Sequence, residues 1–160
     1  MKPLFNDIVV MVSGSDASIL AAKYAIVMAK LYHCRLYAVY VVDTATIKQL
    51  MLSKIFIQEE SQDYEHSLEA NGERYLSFVE ELARAKGVKV EKVIRSGAVY
   101  TEILTVAGEK DADLIVIGGW DKESNPRDIF SHSHREIMIN AKCSVIYVKE
   151  PGVDQIYKQA

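Results

Sequence analysis

The sequence has few cysteines, no long hydrophobic run and no surplus of positive charge, and each shortage argues against a class of protein. Its 160 residues include two cysteines. Cys34 and Cys143 lie far apart without CxxC spacing, which argues against a redox pair and a zinc knuckle, so free, buried thiols are expected. No apolar run is long enough to cross a membrane as a helix, so no membrane insertion is expected.

The charged residues are balanced, with 19 Lys and Arg against 22 Asp and Glu. The basic residues are scattered and form no patch that would neutralise phosphates, so direct binding of DNA or RNA is not expected. Near the N-terminus, the apolar run 8–12 is too short for a signal peptide and ends in a turn instead of a cleavage site. We therefore expect a cytoplasmic protein.

What remains is an ordinary globular composition, with 49% hydrophobic and 26% charged residues. The chain has the usual length of one domain and contains no internal repeat or low-complexity stretch. We expect a single domain over 1–160, with a core at about 7–150 and a C-terminal tail at 151–160.

Apolar runs alternate with segments of helical periodicity along the chain. Unbroken runs, typical of strands buried on both faces of a parallel sheet, lie at 8–12, 36–42, 114–117 and 145–148. The alternating segment 88–95 indicates a half-exposed edge strand. Because helices separate these strands, the pattern predicts an α/β, doubly wound three-layer sandwich with a five-stranded parallel sheet and ligand space at the carboxyl ends of its strands.

The predicted helices cover 17–32, 64–86, 99–110 and 132–141. Residues 59–65 (EESQDYE) are interpreted as a polar connection. A shorter helix is predicted within 44–58, where Ile47, Leu50, Met51 and Ile55 form an apolar stripe. Since that stripe has to be buried and follows the second strand, we expect the segment to cover the carboxyl ends of the strands as a lid.

Four motifs together resemble the universal stress protein family: VVMVSGSDAS, SGAVYTEIL, DADLIVIGG and NAKCSVIYVK. They occur in the family's order and separation and extend over about 7–150. The resemblance implies strand order 3-2-1-4-5, a nucleotide-binding-like fold of the adenine nucleotide alpha hydrolase kind, and a homodimer. In one branch of the family it also implies a bound ATP or related nucleotide.

The ATP-binding branch has a Gly, two residues, a Gly, nine residues, then Gly followed by Ser or Thr, and an Asp at the end of the first strand. Here Gly118 matches the first glycine, while Asp121, Ser131 and His132 stand at the other three positions. Ser13 replaces the Asp. The resemblance thus implies a degraded ATP-binding motif and weak or altered nucleotide binding.

The candidate binding residues are those that the family motif or the start of a helix brings to the expected ligand space at the carboxyl ends of the strands. Donors at the start of a helix suit an anion, whereas Asp121 adds a like charge near a polyphosphate. We expect ATP or AMP to bind weakly or not at all, so no cofactor is assigned. The full set is Ser13, Val41, Gly118, Asp121, Ser131, His132 and Ser133.

Three other interpretations of these segments are weaker. Residues 13–16 (SGSD) resemble the SGGxDS loop of ATP pyrophosphatases, but the Asp comes one residue early and the second Gly is missing, so a turn and helix cap by Ser15 or Asp16 is favoured. His132 and His134 supply too few ligands for a metal site. Cys143 has no His or Asp beside it and is interpreted as core, not as a nucleophile.

The loop that carries Trp120, Asp121, Lys122 and Arg127 lies over the expected ligand mouth. These side chains either close on a small molecule or are exposed to solvent. The sequence leaves both alternatives open.

Three functions are compatible with these features. The first is a non-catalytic stress-response or regulatory module, homodimeric through its last strand and open to an unknown protein partner. The second is an ATP- or AMP-binding switch that uses Gly118, Ser131, Ser133 and the backbone near Val41. The third, a nucleotide-hydrolysing enzyme, is weakest because no general base, metal cluster or activated nucleophile is suitably spaced.

Overall fold

The computed structural model describes residues 3–119 and 129–160, with the side chains of 129–131 outside the description. The predictions for Trp120, Asp121, Lys122 and Arg127, and for the Ser131 side chain, therefore lie outside the described residues. Within these ranges the strands are β1 (Asp7–Met11), β2 (Arg35–Val42), β3 (Val90–Ser96), β4 (Leu114–Gly118) and β5 (Ser144–Val148).

The five strands form one sheet in the order β3-β2-β1-β4-β5. Every neighbouring pair is parallel, and in the central pair Val9 lies opposite Tyr37. The five residues of β1 are all buried, as is usual for a strand with neighbours on both sides and helices on both faces. The predicted fold class and strand order are confirmed.

The helices are α1 (Asp16–Tyr32), α2 (Thr44–Leu52), α3 (Gln58–Arg84), α4 (Val99–Glu109), α5 (Ile129–Asn140) and α6 (Val153–Gln159). Ser15 caps α1, because its hydroxyl accepts a hydrogen bond from the backbone N–H of Ser18. The interpretation of residues 59–65 as a connection is wrong, since they belong to α3. Acidic Glu59 and Glu60 lie in the first turn, where the helix dipole stabilises negative charge.

The C-terminal tail contains a helix that was not predicted from the sequence. Its residues form α6, whose Val153 is fully buried against the core. The hydroxyl of Tyr157 donates a hydrogen bond to the carbonyl of Leu82 at 2.7 Å. Asp154 forms an ion pair with Lys23 of α1. These contacts attach the last turn of the chain to α1 and α3.

Alternate side chains of the strands pack into two cores, one on each face of the sheet. Ile8 and Val10 pack with residues of α1, α3 and α6, whereas Val9 and Met11 pack with residues of α4 and α5. This division produces the three layers. Helix α3 approaches β2 closely at Gly72, where an added Cβ would overlap the ring of Tyr40.

A polar cluster at the amino ends of the strands surrounds the buried Asp7. The Asp7 carboxylate pairs with the Arg35 guanidinium at 2.8 Å and accepts a hydrogen bond from the Tyr37 hydroxyl at 3.2 Å. Cys34 and Cys143 are free, but both are partly exposed, so the expectation of buried thiols is wrong. Among the described residues, no helix is long and apolar enough to span a bilayer.

Candidate functional site

A pocket of about 310 Å³ opens at the carboxyl ends of β1 and β2. The floor consists of residues 11–14 together with Tyr40 and Val41. Helix α2 contributes Thr46, and the starts of α4 and α5 contribute Val99 and Ser133. The volume lies at the lower end of the range of about 300–1,000 Å³ that is typical of ligand pockets, so the space suits a small molecule.

The turn after β1 is held by hydroxyl groups. The Ser18 hydroxyl donates to the carbonyl of Ser13 at 2.7 Å and accepts from the N–H of Ser13 at 2.9 Å. The hydroxyls of Ser13 and Ser15 lie 3.1 Å apart. Gly14 completes the turn, and a Cβ there would lie 2.8 Å from the hydroxyl of Tyr75. The turn is therefore packed tightly under α3.

Helix α3 forms the wall that faces the sheet ends. It contributes Tyr64, Leu68, Asn71 and Tyr75, which follow one another at intervals of four, three and four and so share one helix face. The rings of Tyr40 and Tyr75 lie 6.3 Å apart, within the range of favourable aromatic pairs. This wall presents flat aromatic surface beside amide and hydroxyl groups.

The Tyr40 hydroxyl stays protonated at physiological pH. Burial raises the pKa of Tyr40, and the neighbouring Tyr75 and Tyr64 raise it further. A protonated phenol both donates and accepts hydrogen bonds. Tyr40 therefore offers a neutral hydroxyl that can recognise a ligand at physiological pH.

Asp43 is the one charged side chain among the described residues that line the pocket. Its two carboxylate oxygens accept hydrogen bonds from the N–H of Thr46 at 3.1 Å and from the Thr46 hydroxyl at 2.7 Å. Asp43 thus caps α2 and is held in place at the end of β2.

Comparison with known proteins identifies the family. The profile of the universal stress protein family matches residues 4–149. The chain belongs to the universal stress protein family. A universal stress protein of Methanocaldococcus jannaschii is 33% identical over 148 residues, which are 92% of this chain and 84% of that protein. One from Bacillus subtilis is 31% identical over 117 residues, 72% of this chain and 79% of that protein.

Solved structures of family members share the fold. A universal stress protein of Lactobacillus plantarum superposes with a TM-score of 0.76 at 22% identity, covering 91% of this chain and 98% of that one. A universal stress protein in complex with cAMP superposes at 0.69 and 20% identity, covering 92% and 99%. One of Archaeoglobus fulgidus in complex with dAMP superposes at 0.63 and 21% identity, covering 92% and 100%.

This member of the family brings three of the predicted binding residues together. Ser13, Val41 and Ser133 all line the pocket, and Ser133 is buried. Gly118 does not line it but borders a smaller adjacent cavity of about 40 Å³. His132 is exposed, and its ring packs edge-on against Tyr100 at 5.9 Å. Asp121 and the side chain of Ser131 lie outside the described residues.

Gly118 has a packing role that the sequence motif does not reveal. A Cβ at this position would lie 2.5 Å from the carbonyl oxygen of Ala17 and 2.9 Å from the backbone nitrogen of Ser18. Real Cβ atoms do not approach backbone that closely. Glycine here therefore allows the first turn of α1 to pack on the end of β4.

The lid prediction holds only for the first half of its segment. Thr46 lines the pocket and Ile47 is 4% exposed, so α2 covers the strand ends. Met51 and Ile55 are both exposed, at 38% and 63%. The expectation that the whole stripe is buried is therefore wrong, because α2 ends at Leu52 and the chain turns away before Gln58.

Several pocket residues were missed by reasoning from the sequence. Asp43 directly follows β2 and precedes a Thr three residues later, a signal for a helix cap at the ligand edge. Tyr64 was missed because it was placed at the start of the helix, and Asn71 because its position in the pocket depends on how α3 lies across the strand ends. His134 is half-buried with its ring 5.7 Å from that of Tyr147, and burial lowers its pKa. Its even spacing from His132 gave no signal for that contact.

The described residues bring together no group of three or more His, Cys, Asp or Glu side chains that could hold a metal ion. The arrangement combines stacking surfaces, hydroxyls and an amide with one carboxylate. Such a lining is able to stack on a flat group and to form hydrogen bonds with hydroxyls.

Proposed function

We propose that this universal stress protein is a non-catalytic regulatory module whose pocket binds an adenine nucleoside or nucleotide. The pocket at the carboxyl ends of β1 and β2 carries this proposal. Its lining includes Ser13 and Val41, two positions at which the family resemblance suggests contact with the nucleotide. Related structures in complex with cAMP and dAMP support an adenine ligand for this chain.

Binding of ATP is proposed to be weak. The family's ATP-binding glycines are replaced by Asp121 and Ser131, and a side chain at such a position obstructs close approach of backbone amides to phosphate. Asp121 also brings a negative charge that repels a polyphosphate. Two losses of about 1.4 kcal/mol each would weaken affinity roughly a hundredfold.

Isothermal titration with adenosine, AMP and ATP tests this assignment. Leu68→Trp fills the pocket from α3 and is expected to abolish binding, because the indole occupies the ligand volume. Leu52→Trp is the matched control, since Leu52 is exposed and does not line the pocket. An equal loss of affinity in both variants, or binding that survives Leu68→Trp, would show that the ligand does not bind in this pocket.

The non-catalytic part of the proposal rests on the side chains of the pocket. The described lining residues combine hydroxyls, an amide and one carboxylate, without an activated nucleophile beside a base. We expect no release of phosphate from ATP above a buffer control. Turnover that disappears in Leu68→Trp and persists in Leu52→Trp would contradict this expectation.

The proposal includes a homodimer formed through β5. This strand lies at one edge of the sheet and is apolar, so its unpaired backbone groups invite pairing with another chain. Exposed Met138 and Ile139 on α5 precede it in sequence and extend the apolar surface available. A second copy across a two-fold axis would cover this edge.

Ile146→Lys tests the interface, and light scattering is expected to show a shift from dimer toward monomer. Ile94→Lys is the matched control, because Ile94 lies on β3, the opposite edge strand, and is similarly apolar. Thermal melting of both variants checks that each is folded. A dimer that survives Ile146→Lys, or that dissociates equally in Ile94→Lys, would refute β5 as the interface.

A further inference from the structure

We propose that the pocket selects an uncharged nucleoside over its phosphorylated forms and that Asp43 determines this selectivity. This inference rests on the proposed adenine-binding function and specifies the ligand class of the same site. It follows from the charge of the pocket lining, from the hydrogen bonds of the turn after β1, and from the position of the Asp43 carboxylate.

The charge of the lining disfavours phosphate. Among the described lining residues there is no Lys, Arg or His, and Asp43 contributes a negative charge. Phosphate sites in proteins are built from cationic side chains or from backbone N–H groups free to point at the anion. In this partly enclosed space, a carboxylate repels a phosphate more strongly than it would in bulk water.

The turn at the start of α1 adds no free donor for a phosphate to the described lining. The N–H groups of Ser13 and Ser18 donate to the hydroxyls of Ser18 and Ser15, respectively. The N–H of Ser15 donates to the Ser13 hydroxyl at 3.4 Å. Asp16, in the first turn, adds a negative charge. These donors of the helix N-terminus are therefore already engaged within the protein.

The same lining suits the hydroxyls of a ribose. Each oxygen of the Asp43 carboxylate accepts one hydrogen bond from Thr46, which leaves lone pairs for further donors. A vicinal diol supplies two such donors, whereas a phosphate ester at neutral pH supplies acceptors. On the α3 side, the Asn71 amide and the Tyr75 hydroxyl line the pocket and can form hydrogen bonds with the base.

Isothermal titration of the wild type with adenosine, 2′-deoxyadenosine and AMP at two salt concentrations tests the selectivity. Adenosine should bind at least about tenfold more tightly than AMP, and the ratio should fall as salt screens the repulsion. Removal of the 2′-hydroxyl should weaken binding by about tenfold, because a hydrogen bond to a charged acceptor is lost.

Asp43→Asn isolates the carboxylate. Asn remains a good N-cap, so α2 should keep its start while the charge is lost. The ratio of adenosine to AMP affinity should fall by about tenfold. Glu60→Gln is the matched control, because it removes one negative charge from an exposed position of α3 outside the pocket lining. It should leave the ratio unchanged.

Two outcomes would overturn the inference even if adenine compounds bind. In the first, AMP binds the wild type as tightly as adenosine does. In the second, Asp43→Asn and Glu60→Gln change the ratio of adenosine to AMP affinity equally. If no adenine compound binds at millimolar concentration, the proposed function fails, and the inference fails with it. Circular dichroism of each variant verifies that the helices are intact.

Discussion

Gly118→Ala should destabilise the fold without removing a ligand contact. The family motif suggests a glycine that lets backbone approach a phosphate, but the structure places this residue outside the larger pocket. An added Cβ would lie 2.5 Å from the carbonyl oxygen of Ala17 and 2.9 Å from the backbone nitrogen of Ser18. Because both are backbone atoms of the first turn of α1, the overlap is relieved only when the helix moves.

The expected cost follows from overpacking. Insertion of one methyl group into well-packed surroundings lowers the free energy of unfolding by about 1–3 kcal/mol. For a chain of this length, each 1 kcal/mol corresponds to roughly 2–4 °C in Tm. We therefore expect Gly118→Ala to melt about 2–12 °C below the wild type.

Urea denaturation and thermal melting measure this loss, with Gly108→Ala as the matched control. Gly108 lies within α4, and an added Cβ there meets nothing within 4 Å. The same substitution should therefore stabilise the protein by about 0.5–1 kcal/mol, since Ala is a better helix former than Gly. Adenosine titration of both variants, below their melting transitions, separates packing from binding.

The reasoning fails if Gly118→Ala is as stable as the wild type, because the close approach to α1 would then be absent or easily relieved. Unchanged stability with a large loss of nucleotide affinity would instead restore the phosphate-binding role that the motif suggests. Lower stability with affinity changed by less than about threefold is the expected result.

Three further predictions concern other parts of the molecule. Burial lowers the pKa of His134 below the ordinary histidine value of 6.5. The unfolded chain therefore binds more protons than the folded one as pH falls below that value, and stability decreases; urea titrations of His134→Phe should show a flatter dependence of stability on pH, and an unchanged slope would contradict this. Tyr157→Phe should cost about 1 kcal/mol in urea denaturation by removing the hydrogen bond to Leu82, and no loss would show that bond to be negligible. Ser61→Ala should raise Tm, because the buried Ser61 hydroxyl has no partner among the described residues, whereas a lower Tm would reveal one.

The strands could be predicted because unbroken apolar runs are typical of strands that are buried on both faces of a parallel sheet. Residues 8–12 and 114–117 are unbroken and β-branched, and the structure places β1 and β4 there. The ends of the helices were harder to predict from the sequence. The start of α3 was misplaced because EESQDYE has the polarity of a loop, although its acidic residues also suit the first turn of a helix.

The candidate site could be predicted only where a motif marks it. Ser13 was found because it stands where the family motif has an Asp, and Val41 because it lies near the carboxyl end of the second strand, where ligands bind in such sheets. Asp43, Asn71 and Tyr75 were missed, because their roles depend on how α2 and α3 lie across that edge.

The sequence by itself determined the fold class and the family, because hydrophobic periodicity and short motifs are local properties of the chain. The tertiary structure decided which side chains share the pocket and why particular glycines are needed. Gly118 touches α1, which is about a hundred residues earlier in the chain, and Gly72 accommodates Tyr40. Such contacts depend on distances between elements, and no pattern along the chain encodes those distances locally.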